Sequence, residues 1–411
     1  MAASSDGDWR NLVEQAVDDG AAARETGARR RFRRSLLVSA GVTTIWAAAV
    51  ATTGAWDRVA EHWVSALTMV FGSFVAGATP QGGGAVAFPV FTKALDVPAE
   101  TARSFSLCIQ AIGMTSAAAS ILINQRAIEW RAAAGGAVAG GLAFVFTLLT
   151  LGDRGAPFWP IDLPGEYVKV TFTLIVLAMV VVVVIGDRIP IRSVSDRLPP
   201  LNTRLRSALI VAGMLGGVAS AMVGSGADVM VYLFVVVLFG VSAEVGVPTS
   251  VVSMAAVSVV GFITLGLIDG QLFVDLDTTG QVIAVGGHGL GSPTPMREAD
   301  LFGMWLAAAP VVTWGAPFGA FVASRLSTAS LVRLVVVLGV SEVLSTMVFL
   351  TPLRTDPALQ FYAVGGAIVA VGGLLAITAS RRRLFGLPDV ELTTLLTRTT
   401  THVSDRYRQD L

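Results

Sequence analysis

Ala78-Thr79-Pro80-Gln81-Gly82-Gly83-Gly84-Ala85-Val86-Ala87-Phe88-Pro89 interrupts one long apolar segment of the chain, and Met222-Val223-Gly224-Ser225-Gly226-Ala227-Asp228-Val229 interrupts another. Glycine and proline at membrane depth leave backbone groups unpaired, and lipid cannot satisfy them. Such a break is tolerated only where it is buried in protein or lines a polar cavity. The two stretches therefore predict where the chain turns within its apolar interior.

The sequences around the two breaks match without a gap when Gly82 is laid on Gly226. Ala99-Glu100 then meets Ala243-Glu244, and Ser106 meets Ser250. Broken segments at corresponding positions of two halves are the best sequence pointer to the binding site of a transporter. Chance similarity between segments rich in Gly, Ala and Val is the alternative, but the match persists through the glutamate and serine positions.

Composition predicts an all-α polytopic membrane protein. Of 411 residues, 54% are hydrophobic and 14% are charged, and the mean hydropathy is +0.70. Soluble domains carry about 25% charged residues. The formal net charge of zero gives no indication of a nucleic-acid partner.

The sequence gives no support for a bound metal, a cofactor or an enzymatic reaction. The single Cys108 excludes a disulfide framework, and His62, His288 and His402 have no metal-ligand spacing. There is no P-loop, and no acid/base or nucleophile pair stands out. We therefore expect no cofactor, no bound metal and no catalytic activity.

Apolar segments and arginine clusters together predict the topology. The apolar segments are 35–55, 63–95, 102–124, 132–151, 168–186, 207–239, 247–268, 303–320, 331–351 and 359–379. Segments 63–95 and 207–239 are too long for one span. Arginine clusters mark cytoplasmic ends, and they all fall on one side only if each broken segment is a hairpin. The hairpins would enter from opposite faces, which predicts two inverted repeats. Whether each is a pair of half-helices or of full spans stays open.

This topology divides the chain into five parts with cytoplasmic termini in the plasma (inner) membrane. They are an N-terminal extension (1–34), a first repeat (35–186), an Arg-rich cytoplasmic linker (187–206), a second repeat (207–380) with an extracytoplasmic loop (269–302), and a cytoplasmic tail (381–411).

The hairpin tips are the predicted substrate site. The first N–H groups of a half-helix have no intrahelical partner and lie at the positive end of its dipole, so they bind anions. We expect these donors at Gly82, Gly83 and Gly84, with the Gln81 amide beside them, and at Ser225 and Gly226 on the opposite tip. Close helix packing through small residues is the alternative.

Further polar residues lie at membrane depth. Ser106, Ser250 and Gln110 follow the hairpins and could complete the ligand shell, although serine hydroxyls also bond back to their own helix. Asp228 and Glu342 are candidates for carrying a coupling proton, and Glu342 could instead form a structural pair. For Lys93 we expect the side chain to reach toward the membrane interface.

The pattern Gly72-x4-Gly77-x4-Gly82-Gly83-Gly84-x4-Pro89, followed by Phe105-Ser106-Leu107, resembles the signature of the sulfite exporter TauE/SafE family, also called the toluene-sulfonate uptake permease family. The resemblance implies an inner-membrane carrier, working without ATP, for sulfite, thiosulfate, sulfonates or related small organic anions. The second copy departs from the pattern, with Ala227 and Asp228 where glycines are expected. The first tip is therefore the favoured anion contact.

The predicted function is a secondary transporter that exports small sulfur oxyanions or organosulfonates, such as sulfite, by alternating access. Its partners would be the anion, the lipid bilayer and a coupling proton, and a homo-oligomer stays open. The alternatives are an anion channel, a carrier for small organic carboxylates, and a non-transporting scaffold or sensor component that uses residues 1–34 as its contact surface.

Overall fold

The computed structural model describes residues 30, 32–151, 164–188, 197–200 and 202–379. Most of the predicted N-terminal extension, residues 189–196 and 201 of the linker, and the whole predicted tail lie outside the described residues. The longer helices are α1 (Phe32–Thr53), α3 (Trp63–Ala78), α5 (Ala99–Ile123), α6 (Trp130–Leu151), α7 (Gly165–Arg188), α8 (Thr203–Val223), α10 (Ala243–Gly261), α12 (Leu301–Ala323), α13 (Thr328–Phe349) and α15 (Pro357–Ala379).

The short elements lie between these helices. They are α2 (Trp56–Glu61), α4 (Gly84–Pro89), α9 (Ala227–Tyr232), α11 (Met296–Ala299) and α14 (Pro352–Thr355), and the strands β1 (Val274–Leu276), β2 (Val282–Val285) and β3 (His288–Thr294). A π-helical segment extends α4 over Val90–Ala94, α9 over Leu233–Leu238 and α10 over Phe262–Ile268.

The prediction of an all-α polytopic membrane protein is confirmed. Within the described residues, seven helices are long and apolar enough to cross a membrane. They are Phe32–Thr53, Ala99–Ile123, Trp130–Thr150, Thr203–Val223, Ala243–Ile268, Leu301–Ala323 and Ala329–Phe349. Shorter apolar helices occupy Trp63–Ala78, Ala227–Leu238 and Pro357–Gly373.

Both glycine-broken segments fold back on themselves. A Cβ on Gly83 would lie 3.3 Å from the carbonyl oxygen of Gly72, so α4 begins beside the middle of α3. A Cβ on Gly216 would lie 2.7 Å from the Cα of Ala227, so α9 begins beside α8 in the same way. The arms of the second hairpin are unequal, since α8 has 21 residues and α9 with its π-helical extension covers only Ala227–Leu238. Helix α8 is long enough to cross a membrane, and the second arm is shorter.

The backbone after each hairpin repeats in the register that lays Gly82 on Gly226. Val97 donates to the Phe91 carbonyl at 2.9 Å, and at the equivalent positions Val241 donates to Val235 at 3.1 Å. The chain takes positive φ at Asp96 (54°) and at its counterpart Gly240 (72°). Helices α5 and α10 then begin at equivalent residues, Ala99 and Ala243. The repeat seen in the sequence is therefore also a repeat in hydrogen bonding.

Each hairpin packs against a long helix that belongs to the other repeat. Helix α12 packs along α3 and α5, whereas α6 packs along α8 and α10. Small residues allow both contacts, because a Cβ on Gly77 would overlap the Ala316 backbone and one on Gly217 would overlap the Gly140 backbone. Such close approach is typical of helix packing in membranes.

The loops at one end of the bundle are joined by a buried carboxylate. Asp300 caps α12 by accepting from Gly303 N at 3.0 Å, and Arg58 Nε donates to its other oxygen at 2.6 Å. His62 Nε2 lies 3.7 Å from the same carboxylate. The segment between α1 and α3 and the loop 269–302 therefore lie at the same end, as the predicted topology requires.

Loop 269–302 contains an antiparallel sheet of order β1-β2-β3, which the sequence did not predict. A turn joins β1 to β2, and the Asp277 carboxylate accepts there from Thr279 N and Gln281 N, both at 2.8 Å. These bonds and the Thr279 hydroxyl hold the pKa of Asp277 below its usual value.

The segment between α5 and α6 marks the opposite end. Glu129 N donates to Thr249 Oγ1 at 2.9 Å, and the Glu129 carboxylate accepts from Leu198 N at 3.2 Å. Burial lowers the pKa of the nearby Arg126 guanidinium, although the charge of Glu244 opposes that shift. The predicted cytoplasmic segments thus contact one another.

Candidate functional site

The two hairpin tips meet in the protein interior. Ser225 Oγ donates to the Gln81 carbonyl at 3.4 Å. Gly82 has φ +68°, and a Cβ there would lie 2.6 Å from Asp228 Oδ2 and 2.8 Å from Gln110 Oε1. Glycine is therefore required at this position both by the backbone conformation and by the space.

Helix α5 holds the second tip through two side chains one turn apart. Gln110 Nε2 donates to the Gly224 carbonyl at 2.8 Å, and Ser106 Oγ donates to the same oxygen at 3.2 Å. A Cβ on Gly84 would lie 2.6 Å from Ser106 Oγ, so this helix face also touches the first tip. Ser106 and Gln110 thus contact both tips, and the shared substrate site that the sequence predicts there stays a prediction.

Several polar atoms around the tips are buried without a hydrogen-bond partner. They are both amide atoms of Gln81, the Oε1 of Gln110 and the Oδ2 of Asp228. The three residues are 2%, 2% and 0% exposed. An unpaired buried polar atom costs about 1–3 kcal/mol, and a cluster of them is explained where a ligand or water supplies the missing bonds.

The tips differ in what their backbone donors face. At the second tip, Val229 N donates to Asp228 Oδ1 at 2.9 Å, and the Gly226 amide also faces this carboxylate. The equivalent residue of the first repeat is Gly84, which has no side chain. Among the described residues, none accepts a hydrogen bond from the backbone N–H of Gly82, Gly83 or Gly84. The backbone donors of the first tip thus have no acceptor among the described residues.

Some predicted site residues have other surroundings. The Cα of Gly83 faces the first arm of its own hairpin, since a Cβ there would lie 3.3 Å from the Met69 methyl carbon. A Cβ on Gly226 would lie 2.7 Å from the Cβ of Ala219. Ser250 Oγ donates to the Val247 carbonyl of its own helix at 2.9 Å. No hydrogen bond joins Ser250 to either tip within the described residues.

Glu342 belongs to a separate buried cluster. Its Oε1 accepts from Lys93 Nζ at 2.6 Å and from Thr173 Oγ1 at 2.8 Å. Lys93 also donates to Ser345 Oγ and Thr346 Oγ1. The expectation that Lys93 reaches the membrane interface is wrong, because its side chain is only 4% exposed and pairs with Glu342. The partners are far apart in sequence, so no local pattern could have revealed the pair.

Comparison with protein-family models gives one match that spans both hairpins. The model of the sulfite exporter TauE/SafE family matches residues 64–341. The chain belongs to the sulfite exporter TauE/SafE family. Neither the curated proteins nor the solved structures gave a match. Membership confirms the resemblance and makes this protein a multi-pass membrane transporter of a family that handles sulfite and related sulfur compounds.

Proposed function

We propose that this TauE/SafE protein exports small sulfur oxyanions or organosulfonates, such as sulfite, across the plasma membrane by alternating access. The observation that supports the proposal is a set of hydrogen-bonding groups at the tips that have no partner. Free backbone donors at the first tip lie among buried side-chain atoms that have no hydrogen-bond partner. Backbone N–H groups and neutral hydroxyls and amides are the donors that bind an oxyanion without a buried cation.

The proposed ligand shell is built from both tips and α5. Gly82, Gly83 and Gly84 would present their N–H groups to the anion, and Gln81 Nε2 would add an amide donor. Ser106 and Ser225 would turn their hydroxyls from the carbonyls of Gly224 and Gln81 toward the anion. The tips touch, so an anion enters only when the hairpins separate.

The placement of the hairpins supports alternating access. Their bases lie near opposite ends of the bundle, one beside the Asp300 cluster and the other beside Leu198 and Glu129, while their tips meet. If the repeats are inverted, moving one hairpin opens the tips to one side and moving the other opens them to the opposite side. In the proposed export cycle the termini are cytoplasmic, and the anion is loaded from the cytoplasmic side.

Asp228 is the better candidate for proton coupling. Its unpaired Oδ2 faces Gly82, so an ionised carboxylate would repel an arriving oxyanion and a protonated one would donate to it. The Glu342 carboxylate is already paired with Lys93 and hydroxyl groups. Its protonation would leave Lys93 buried without a counter-charge, so we assign Glu342 a secondary role in coupling.

Flux measurements in proteoliposomes test the proposal. Radiolabelled sulfite should be taken up with saturation, and unlabelled sulfite and sulfonates should compete more strongly than acetate or other small carboxylates. Flux that rises in proportion to concentration would instead indicate a channel. Absence of oxyanion flux in either orientation would contradict the transporter proposal and favour a scaffold role.

Asp228→Asn tests the coupling. The amide keeps the size of the side chain but cannot ionise. We expect sulfite exchange to persist while accumulation driven by an imposed pH gradient falls to the level seen without a gradient. Gradient-driven accumulation equal to that of the wild type would exclude Asp228 as the coupling group.

A further inference from the structure

Arg103 lies on the same face of α5 as the two residues that hold the second tip. Positions three and seven residues apart share one face of a helix, which places Arg103, Ser106 and Gln110 in a row. The Arg103 backbone lies directly against the tip, because a Cβ on Gly224 would be 2.5 Å from the Arg103 carbonyl oxygen. Arg103 is therefore one helical turn from the tips, toward the end at which α5 begins.

The Arg103 guanidinium has few partners for its degree of burial. Its side chain is 21% exposed, and its Nε is buried with no hydrogen-bond partner. Its ion pair is with Glu100, whose oxygen is 3.6 Å from the guanidinium and whose side chain is 57% exposed. An exposed pair of this kind contributes little to stability. Burial of an arginine is therefore not explained by Glu100 alone.

Helix α10 of the second repeat has no cation at the position equivalent to Arg103. The register that lays Gly82 on Gly226 places Val247 opposite Arg103, and Val247 packs against apolar side chains. Only one of the two approaches to the tips therefore carries a guanidinium on the α5 or α10 face. A difference between otherwise equivalent helices indicates a role that only one side of the site needs.

We propose that Arg103 forms an outer binding position for the oxyanion, one helical turn from the tips. This inference rests on the proposed transport function and adds a specificity residue to it. A planar guanidinium donates two parallel hydrogen bonds to a sulfite or sulfonate group, and its charge attracts anions toward the site. The anion passes between Arg103 and the neutral donors of the tips, and Glu100 holds the guanidinium until the anion replaces it.

The test compares Arg103→Gln, Arg103→Lys and Glu100→Gln in sulfite uptake by proteoliposomes. Removing a charge-assisted pair of hydrogen bonds should raise the half-saturating sulfite concentration about tenfold in Arg103→Gln. Arg103→Lys keeps the charge but loses the fork geometry, so its shift should be smaller, about threefold. Glu100→Gln removes the competitor for the guanidinium and should therefore lower this concentration.

The outcomes separate this inference from the transport proposal. Equal losses in Arg103→Gln and Glu100→Gln would make the pair purely structural and overturn the outer site. An unchanged half-saturating concentration in Arg103→Gln, with normal uptake by the wild type, would also overturn it while leaving transport intact. If the wild type moves no oxyanion, both proposals fail. If Arg103→Gln does not fold, as judged by thermal unfolding in detergent, wild-type behaviour of Arg103→Lys overturns the outer site.

Discussion

Glycine at position 82 differs from most other glycines of the chain in being constrained twice. Its φ of +68° favours glycine, and a Cβ would meet Asp228 and Gln110 at 2.6 and 2.8 Å. Gly54 has the same φ of +68°, but a Cβ there would meet no heavy atom within 4 Å. Substituting alanine at these two positions therefore distinguishes the effect of backbone strain from the effect of contact at the tips.

Gly82→Ala should reduce sulfite flux at least about tenfold, since a contact under 3 Å forces the tips apart and adds to a strain of about 1 kcal/mol. Gly54→Ala carries the same strain without the contact and should transport normally. Initial rates in proteoliposomes and thermal unfolding in detergent measure both effects. Equal loss of flux in the two variants would show that strain alone matters and that Gly82 is not at the site.

Sequence reasoning predicted much of this site, but not every side-chain orientation. The aligned glycine breaks placed Gln81, Ser225 and Asp228 together at the tips, since two hairpins entering from opposite faces must meet. The same alignment gave Ser250 the same predicted role as Ser106, yet the Ser250 hydroxyl donates to a carbonyl of its own helix. A serine hydroxyl in an apolar helix can donate either to a carbonyl of its own helix or to a ligand. The sequence contains nothing that distinguishes these two partners.

At the level of elements, the second arm of the first hairpin is fixed to two helices far along the chain. Lys93 lies on the π-helical segment after α4, and it pairs with Glu342 of α13 beside Thr173 of α7. The arm therefore cannot move away from α7 and α13 without breaking a buried ion pair. The apolar periodicity predicted both helices, but a pair between single charges in separate segments has no sequence signal.

Replacing one partner of the Lys93–Glu342 pair should destabilise the fold more than replacing both partners. Lys93→Met or Glu342→Gln alone leaves an uncompensated buried group, which typically costs about 3–5 kcal/mol, whereas replacing both partners by apolar residues is often neutral. We expect the double variant Lys93→Met/Glu342→Leu to unfold at a higher temperature than Lys93→Met. Arg333→Met replaces an exposed arginine of α13 and is the control, which should change stability little. Additive losses in the double variant would contradict coupling of the pair.

At the level of the whole molecule, the arginine pattern and the fold agree on which loops share a side. Arg58 and Asp300 join the two segments predicted to be extracytoplasmic, and Glu129 and Leu198 join two predicted to be cytoplasmic. The sheet in loop 269–302 was missed because its strands are short and β3 includes glycine and proline rather than an alternating apolar pattern. These contacts agree with the sidedness predicted from charge, whereas no sequence pattern predicted the local structure of the loop.

Cysteine labelling tests the absolute orientation with a single native thiol as background. Cys108 is the one cysteine of the chain, and it is fully buried, so the wild type should react little with a membrane-impermeant maleimide. Thr278 in the β1–β2 turn and Ser324 at the end of α12 are both exposed and lie at opposite ends of that helix. Thr278→Cys should be labelled on intact cells, and Ser324→Cys only after permeabilisation, because the arginine pattern predicts that the Ser324 end is cytoplasmic. The reverse pattern would invert the topology and with it the side from which the anion reaches Arg103.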